Sequence, residues 1–193
     1  WTACLNAYDT CNICEITPVT LSGKYNPYDI REPCTVEPLC YNFTNEDVFY
    51  NLDSTMKGLG VDQAHVKKWI DCNRFVELGL VFAGDWMKDF ADDITILLGD
   101  GKQILVYFGI WDYIVNWVGG YNWMKNLDWP YKDQWNKASN QTWMVDGSIA
   151  GSYQTYANLT FLQVLGAGHL VPMDQPKNAL AMINELTNGN GWQ

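Results

Sequence analysis

The sequence is poor in basic residues and in long apolar runs, and each shortage excludes a class of protein. Lysine and arginine number 12 against 22 aspartates and glutamates, so the formal net charge is −10 and the isoelectric point is near 4.4. Most of such a surface would repel a phosphate backbone. Apolar runs stay well short of the roughly 18 residues that a membrane-spanning helix needs. We therefore expect neither nucleic acid nor a membrane as a partner.

The chain also lacks an initiator methionine, and no basic segment followed by an apolar one opens it. We expect that any signal peptide has been removed and that Trp1 marks a cleavage product or another boundary. Disorder is unexpected, because 48% of the residues are hydrophobic and 15% are aromatic. A chain of 193 residues with this composition can bury one sizeable core.

Cysteine is confined to the first part of the chain, since none follows Cys72. Six cysteines among loop-forming residues predict disulfides and an oxidising compartment. Zinc is the alternative, because Cys11 and Cys14 have the CxxC spacing of a metal site. A second pair of similar spacing is missing, since Cys34 and Cys40 stand too far apart in sequence. We therefore expect disulfides, with no metal and no cofactor.

Three N-glycosylation sequons agree with a secretory route. Asn42 and Asn140 lie in polar, loop-like surroundings and are the better candidates to carry sugar. Asn158 leads directly into an apolar segment and is the poorest candidate. Together with the cysteines, the sequons predict a secreted, vacuolar or lysosomal protein.

Helical and strand patterns alternate along most of the chain. Residues 1–45 mix proline, asparagine, threonine and cysteine without periodicity, which predicts an irregular, disulfide-pinned segment. The apolar runs 104–108 and 159–165 predict buried strands, and residues 142–156 predict a β-hairpin. This alternation is typical of an α/β fold. Helices are expected at 45–52, 54–60, 86–98, 113–127 and around 179–186, with a loop at 129–140.

One histidine lies at the tip of a predicted strand. His169 follows the apolar run 159–165, and the Gly-Ala-Gly at 166–168 lets the backbone turn sharply. In open α/β sheets that edge collects ligands and chemistry, and histidine changes its charge near neutral pH. An ordinary, satisfied loop histidine is the alternative. The other histidine, His65, lies in a polar stretch and is expected to be of that ordinary kind.

Asp112 follows the other apolar strand in the same way. Residues 109–111 turn the chain after the run 104–108, so neighbouring parallel strands would place Asp112 and His169 at one edge. The carboxylate could then accept the Nδ1 proton of the imidazole, fix its tautomer and stabilise the imidazolium. Capping of the following helix is the alternative role for Asp112.

The sequence offers no matching nucleophile. An acid followed by a histidine is the chain order of the α/β-hydrolase layout, in which the nucleophile comes earlier still. None of the five serines stands in Gly-x-Ser-x-Gly, and the nearest segment, 147–151, falls within the predicted hairpin. The chain therefore carries a base and its orienting acid without a group for them to activate.

Several segments carry a resemblance to a known family. They are Tyr-Asp-Ile-Arg-Glu-Pro-Cys at 28–34, Phe-Ala-Gly-Asp-Trp-Met at 82–87, Leu-Val-Tyr-Phe-Gly at 105–109, Asn-Trp at 116–117 and Gly-Ala-Gly-His-Leu-Val-Pro-Met-Asp-Gln-Pro at 166–176. Together they resemble the carboxyl-terminal part of the serine carboxypeptidases, closest to the carboxypeptidase Y type.

The resemblance implies an α/β-hydrolase sheet whose Ser-Asp-His triad removes single residues from peptide carboxyl termini, preferably in acid. Some members of the family mature into two disulfide-linked chains. Residues 1–75 would belong to a disulfide-rich cap insertion with short helices. Residues 76–193 would form the carboxyl-terminal part of the hydrolase core.

The resemblance also implies roles for individual residues. Asp112 and His169 match the triad aspartate and histidine, so we expect this chain to supply them to a serine on an amino-terminal partner chain. Cys34 and Cys40 match a short-loop disulfide, whereas no partner can be assigned to Cys14. The residues that match the side-chain pockets are Asn12, Trp86, Ile114 and Leu170, with plain core packing as the alternative for Trp86 and Ile114. The cysteines that match bridges to the partner chain are Cys4, Cys11 and Cys72.

Two positions depart from the family pattern. Ile110 stands where the family's Gly-Asp-x-Asp has its first acid, and Val115 replaces a cysteine that carboxypeptidase Y carries beside its active site. Neither change removes a group that the expected mechanism needs. The resemblance thus implies the smaller chain of a two-chain serine carboxypeptidase that acts on peptides in acid. The alternatives are a catalytically silent relative that binds or protects a partner, and an acyltransferase on the same scaffold.

Overall fold

The computed structural model describes residues 2–36, 40–188 and 192, and the chain divides into two compact units. The first unit comprises Trp1–Cys11 and Cys34–Lys88, and the second comprises Asn12–Pro33 and Asp89–Gln193. The expected division between residues 75 and 76 falls inside the first unit. The second unit holds both residues expected to be catalytic.

Short helices and one sheet make up the regular structure of the described residues. The helices are α1 (Thr2–Cys11), α2 (Thr17–Leu21), α3 (Thr44–Tyr50), α4 (Asp53–Gly58), α5 (Arg74–Phe82), α6 (Ala91–Gly99), α7 (Trp117–Asn126), α8 (Lys132–Lys137), α9 (Val171–Asp174) and α10 (Pro176–Thr187). A π-helical turn covers Asn12–Ile16 and a 3₁₀ turn covers Asp85–Met87. The strands are β1 (Ile104–Gly109), β2 (Gln141–Val145), β3 (Ser148–Tyr156) and β4 (Leu159–Val164). Among the residues described, no helix has the length and apolar character needed to cross a bilayer.

A four-stranded sheet of order β1-β4-β3-β2 forms the centre of the second unit. β1 and β4 are parallel, and their register runs to Gly109 opposite Val164, so the two apolar runs end at the same edge. β2 and β3 form the predicted antiparallel hairpin. Asp146 and Gly147, at φ 47° and 77°, supply the positive φ that a two-residue hairpin turn requires.

Strand β4 is buried on both faces, which places a hydrophobic core on each side of the sheet. Successive side chains of a strand point to opposite faces. Leu162 accordingly packs with Met182 of α10 on one side. Phe161 packs with Met124 of α7 and Trp135 of α8 on the other. An almost continuous apolar run is therefore the sequence that this central position requires.

The expectation of an irregular segment over residues 1–45 is wrong for residues 2–21, which are helical. Threonine, asparagine and cysteine have low helix propensities, so the local signal is weak. The stretch nevertheless has no glycine before Gly23 and no proline before Pro18 to interrupt it. Pro18 lies in the first turn of α2, where its missing N–H is tolerated.

Helix α8 occupies part of the region 129–140, where a loop is expected. Trp135 of α8 is fully buried, and its Nε1 donates a hydrogen bond to the carbonyl oxygen of Leu159 at 3.1 Å. Gln154 Nε2 donates to the carbonyl oxygen of Trp135 at 2.6 Å. Tertiary contacts thus stabilise a helix of a length that is marginal by itself.

Several other helices begin at different residues from those expected, among them α4 at Asp53 and α7 at Trp117 rather than at residues 54 and 113. Helix α6 starts at Ala91 rather than near residue 86, and the carboxylate of Asp89 accepts from the Ala91 amide at 2.9 Å. Helix α3 starts at Thr44, where the side chain of Asn42 accepts from the Thr44 amide at 3.1 Å. In both places a polar side chain two residues earlier satisfies the first amide, which shifts the start of the helix.

Candidate active site

The loops that follow β1 and β4 lie against each other at one edge of the sheet. The Trp111 amide donates a hydrogen bond to the carbonyl oxygen of Ala167 at 3.0 Å. A Cβ on Gly109 would lie 2.1 Å from the carbonyl oxygen of Gly168, so only glycine allows the two backbones to come this close. The strand ends are therefore held near enough for side chains from the two loops to meet.

Asp112 and His169 form a hydrogen-bonded pair at this edge. Asp112 Oδ2 lies 2.9 Å from His169 Nδ1. The aspartate side chain is 4% exposed, while 37% of the histidine side chain remains exposed. An ionised carboxylate can only accept, so Nδ1 donates, and Nε2 of the neutral ring keeps its lone pair. The ring can therefore accept a proton from a neighbouring group.

The pKa of His169 is raised above its ordinary value of 6.5. The hydrogen bond that the ring donates to Asp112 is the largest cause, burial of the ring acts in the opposite direction, and the negative charge of Asp112 adds to the increase. The carboxylate thus stabilises the imidazolium, which is the form that a general base takes once it has accepted a proton.

Asp112 also uses its second oxygen. Its Oδ1 accepts from the Val115 amide at 3.1 Å, so part of the alternative capping role is realised. The cap of helix α7 itself is Asn116, whose side chain accepts from the Gly119 amide at 2.9 Å. One carboxylate oxygen therefore fixes the turn before α7, and the other faces the imidazole.

Hydrogen bonds fix the backbone on both sides of the histidine. The Gly168 amide donates to Asp174 Oδ2 at 2.7 Å, and the His169 amide donates to the carbonyl oxygen of Tyr28 at 2.8 Å. Helix α9 follows directly, with Pro172 in its first turn. The position of the imidazole is therefore set by the loop backbone as well as by Asp112.

Three of the four residues expected to line side-chain pockets lie in the same unit as the pair. Ile114 and Leu170 follow Asp112 and His169 closely in sequence, and both are half-buried. Asn12 begins the π-helical turn. That turn is tied to the loop after β1, because Tyr113 Oη donates to the carbonyl oxygen of Glu15 at 3.1 Å.

Trp86 lies in the first unit, where 53% of it is exposed and its ring stands edge-on to Tyr8 at a centroid distance of 6.3 Å. Plain core packing, the alternative for Trp86, does not fit this exposure. The pocket roles of Trp86, Asn12, Ile114 and Leu170 stay predictions.

Cys34 and Cys40 form the predicted disulfide. Cys14 and Cys72 are exposed and form no disulfide within the described residues. In that part of the chain, no group of three or more histidine, cysteine, aspartate or glutamate side chains could hold a metal ion. The bridges expected to another chain, from Cys4, Cys11 and Cys72, stay a prediction, and the side chain of Cys4 lies outside the described residues.

The chain contains a second histidine–aspartate pair, which lies on the surface of the first unit. His65 Nδ1 is 2.7 Å from Asp62 Oδ2, but the two side chains are 84% and 65% exposed. Exposed pairs of this kind are screened by water and contribute little. His65 therefore fits the ordinary role expected for it and offers a matched control for His169.

The sequons differ in how their asparagines are used. Asn42 and Asn140 are exposed, as a glycan requires. Asn158 Nδ2 donates to the carbonyl oxygens of Leu98 at 3.0 Å and Lys102 at 2.7 Å. Both hydrogens of this amide are engaged, so a sugar on Asn158 would break one bond. Glycosylation at Asn42 and Asn140 stays a prediction.

Asn26 and Asp29, for which no functional role is predicted from the sequence, are 1% and 2% exposed. Both belong to residues 26–32, which contact the loops after β1 and β4. The sequence does contain an indication of this segment. Asn-Pro-Tyr-Asp at 26–29 favours a turn, and the arginine at position 31 could neutralise a buried aspartate.

Comparison with known proteins identifies relatives along nearly the whole chain. A family model described as Serine carboxypeptidase matches residues 1–189. A "Serine carboxypeptidase-like" protein of Oryza sativa subsp. japonica is 39% identical over 188 residues, which cover 97% of this chain and 42% of that protein. Carboxypeptidase Y of Komagataella phaffii is 37% identical over 188 residues, which cover 97% of this chain and 35% of that protein.

A solved structure shares the fold. It is the crystal structure of Kex1(delta)p, a prohormone-processing carboxypeptidase from Saccharomyces cerevisiae, which aligns with a TM-score of 0.66 at 19% identity. The alignment covers 97% of this chain and 45% of that one. This likeness confirms the α/β-hydrolase fold, and the chain spans less than half the length of the relatives named here. The chain belongs to the serine carboxypeptidase family.

Proposed function

We propose that this chain is the smaller, carboxyl-terminal chain of a two-chain serine carboxypeptidase, which releases single residues from the carboxyl termini of peptides. Asp112 and His169 would complete a triad with a serine on a disulfide-linked amino-terminal chain. The single observation that carries the proposal is the hydrogen bond of 2.9 Å between the buried Asp112 and the partly exposed His169.

The proposed mechanism follows from the orientation of the ring. His169 Nε2 accepts the proton of the serine hydroxyl while the serine oxygen attacks the scissile carbonyl carbon. It then donates that proton to the leaving amine. Water attacks the acyl-enzyme next, with His169 again taking and returning a proton. Asp112 holds the tautomer in which Nε2 is free to accept, and it stabilises the imidazolium formed in each step.

The position of the serines supports a nucleophile on another chain. Within the described residues, no serine hydroxyl is hydrogen-bonded to His169. Ser152 Oγ donates to Gln163 Oε1 at 3.0 Å on the sheet, and Ser148 opens strand β3 in the hairpin.

Exposed apolar surface supports an amino-terminal partner. Helix α5 exposes Phe75 by 89%, Val76 by 58% and Phe82 by 62%. Leaving such a side chain in water costs roughly 1.5–3 kcal/mol relative to burying it. In addition, β1 pairs with β4 alone among the described strands, so its other edge is open to a further strand. We propose that the amino-terminal chain covers both features.

A secretory, vacuolar or lysosomal location and activity in acid are also proposed. The disulfide, the exposed sequon asparagines and the net charge of −10 support the location. The raised pKa of His169 acts against a base in acid, because the ring would be protonated there. Burial of the exposed ring by the amino-terminal chain would lower this pKa and leave the ring neutral at a lower pH.

Replacement of the histidine in the complete two-chain protein tests the proposal. We expect His169→Ala to reduce hydrolysis of a blocked dipeptide by about 10⁴- to 10⁶-fold, because the serine loses its base. His65→Ala removes the exposed histidine instead and is expected to leave kcat/KM unchanged. Full activity in His169→Ala would contradict the proposed mechanism.

Labelling with a serine-directed phosphonate tests the nucleophile. We expect the wild-type protein to be labelled on the amino-terminal chain and His169→Ala to react far more slowly. A silent relative would not react at all. Chromatography of the products with an added alcohol acceptor would reveal an acyltransferase, which would form an ester where a carboxypeptidase forms the free acid.

A further inference from the structure

The segment formed by residues 26–32 contacts the loop that carries His169. The carbonyl oxygen of Tyr28 accepts from the His169 amide at 2.8 Å. A Cβ on Gly168 would lie 2.4 Å from that same oxygen and 2.8 Å from the Cβ of Asp29. The segment and the histidine loop are therefore packed backbone against backbone, without room for a side chain between them.

The same segment contacts the loop that carries Asp112. The Ile30 amide donates to the carbonyl oxygen of Trp111 at 3.2 Å. The carbonyl oxygen of Pro27 accepts from the amides of Tyr113 at 3.2 Å and Ile114 at 3.0 Å. Hydrogen bonds thus reach the residue before Asp112 and the two residues after it.

Buried polar side chains hold the segment in one conformation. Asn26 Oδ1 accepts from the backbone amide of Tyr28 at 2.9 Å. The backbone amide of Asn26 donates to the carbonyl oxygen of Glu32 at 2.9 Å. Asp29 Oδ1 accepts from the Arg31 amide at 3.0 Å and from Arg31 Nε at 2.9 Å, while Oδ2 accepts from the end of the guanidinium. Because Arg31 pairs with Asp29 through two side-chain bonds, the pairing fixes geometry as well as charge.

Arg31 also connects the segment to the loop after β1. Its guanidinium carbon lies 5.8 Å from the centre of the Trp111 ring, within the range of a cation–π contact. Burial of Asp29 favours its neutral form, but the hydrogen bonds and charge of Arg31 outweigh burial and lower the pKa of Asp29. The buried carboxylate of Asp29 therefore stays ionised and keeps its ion pair with Arg31.

We propose that residues 26–32 act as a clamp that fixes the distance between Asp112 and His169, with Asp29 and Arg31 as positioning residues of the pair. This inference rests on the proposed function. The two residues act through the backbone of Pro27, Tyr28 and Ile30. They orient two loops whose interacting side chains stand 57 positions apart in sequence.

The groups around His169 give the clamp a characteristic effect on its pKa. Asp112 faces the ring from the loop after β1, and the Tyr28 ring lies 5.5 Å from it. The Asp174 carboxylate accepts a hydrogen bond from the amide of Gly168, the residue before His169, and Arg31 interacts electrostatically with Asp174. Loss of the positive charge of Arg31 would by itself raise the pKa of His169. Loosening of the bond to Asp112 would lower it, so the two effects differ in sign.

The test compares Arg31→Met with Lys177→Met in the complete two-chain protein. Lys177 forms an ion pair with Asp146 in the same unit, but both side chains are about 70% exposed. For Arg31→Met we expect kcat to fall by about 10- to 100-fold, with KM changed by less than about twofold. We also expect the NMR titration midpoint of His169 to move to lower pH. Lys177→Met is expected to change neither.

Arg31→Lys supplies the conservative variant. It keeps the charge but loses the planar fork, so we expect values between those of the wild type and Arg31→Met. If Arg31→Met does not fold, kcat and the His169 titration midpoint of Arg31→Lys test the clamp instead. An unchanged or raised His169 midpoint, or activity that falls only with the amount of folded protein, would overturn the clamp. The titration needs no turnover, so absence of peptidase activity in the wild type would count against the proposed function alone.

Discussion

At the residue scale, the pKa of His169 depends on its hydrogen bond to Asp112 and on how far its ring is buried. Asp112 raises the pKa of the ring, and burial opposes the increase. Catalysis as a base needs the neutral ring, so activity should rise with pH through this pKa. In the proposed mechanism, a carboxylate at position 112 therefore aids the reaction by orientation and by stabilising the imidazolium, while it raises the pH at which the base becomes available.

Asp112→Asn separates these effects. We expect the titration midpoint of His169 to move to lower pH, because the amide cannot stabilise the imidazolium by charge. Activity should nevertheless fall by about 10⁴-fold, because the ring is no longer held in the required tautomer. The pKa is measured by NMR and the rate with a blocked dipeptide. Asp62→Asn alters the exposed pair with His65 and should leave both values as in the wild type. A higher His169 midpoint in Asp112→Asn would contradict the assignment.

At the element scale, the site depends on two strand ends that approach through glycine. Strands 104–109 and 159–164 can be predicted from the sequence, because runs of apolar, β-branched and aromatic residues favour buried strands. Helix α8 and the helical residues 2–21 cannot be predicted from the sequence in this way. The stability of α8 comes from tertiary contacts such as the burial of Trp135, and local propensity does not report those contacts. Residues 2–21 have no such buried anchor among their described side chains, and their threonines, asparagines and cysteines give only a weak helical signal.

Two glycines should respond to alanine in opposite directions. Gly109→Ala would place a Cβ 2.1 Å from a backbone oxygen, so we expect a loss of about 1–3 kcal/mol in the free energy of unfolding. Gly119→Ala in helix α7 would meet nothing nearer than 3.6 Å, so we expect a gain of up to about 1 kcal/mol. Urea unfolding of the complete protein measures both. Equal effects from the two substitutions would contradict the close approach at Gly109.

At the scale of the whole molecule, Asp112, His169 and residues 26–32 lie together in the second unit. The first unit carries the disulfide between Cys34 and Cys40 and the exposed apolar helix α5. An exposed apolar face of this kind usually marks an interaction surface. Together with the exposed Cys72, it supports the proposed covalent and apolar attachment to an amino-terminal chain.

Electrophoresis of the purified protein tests this arrangement. Without reductant we expect a species heavier than the 22.0 kDa chain, and on reduction we expect it to release that chain. Peptide mass analysis should then find Cys72 joined to a peptide absent from this sequence, whereas Cys34 should be joined to Cys40. A single band of unchanged mobility in both conditions would exclude disulfide-linked chains.

The sequence by itself determined the α/β alternation, the two apolar strands and the presence of Asp112 and His169 after them, because these features are local and periodic. It did not determine the helices anchored by distant side chains, or the role of residues 26–32. Only the tertiary structure placed that segment across both loops. Contacts between residues far apart in the chain arise from packing and hydrogen bonding of the folded backbone, and no local pattern in the sequence encodes them.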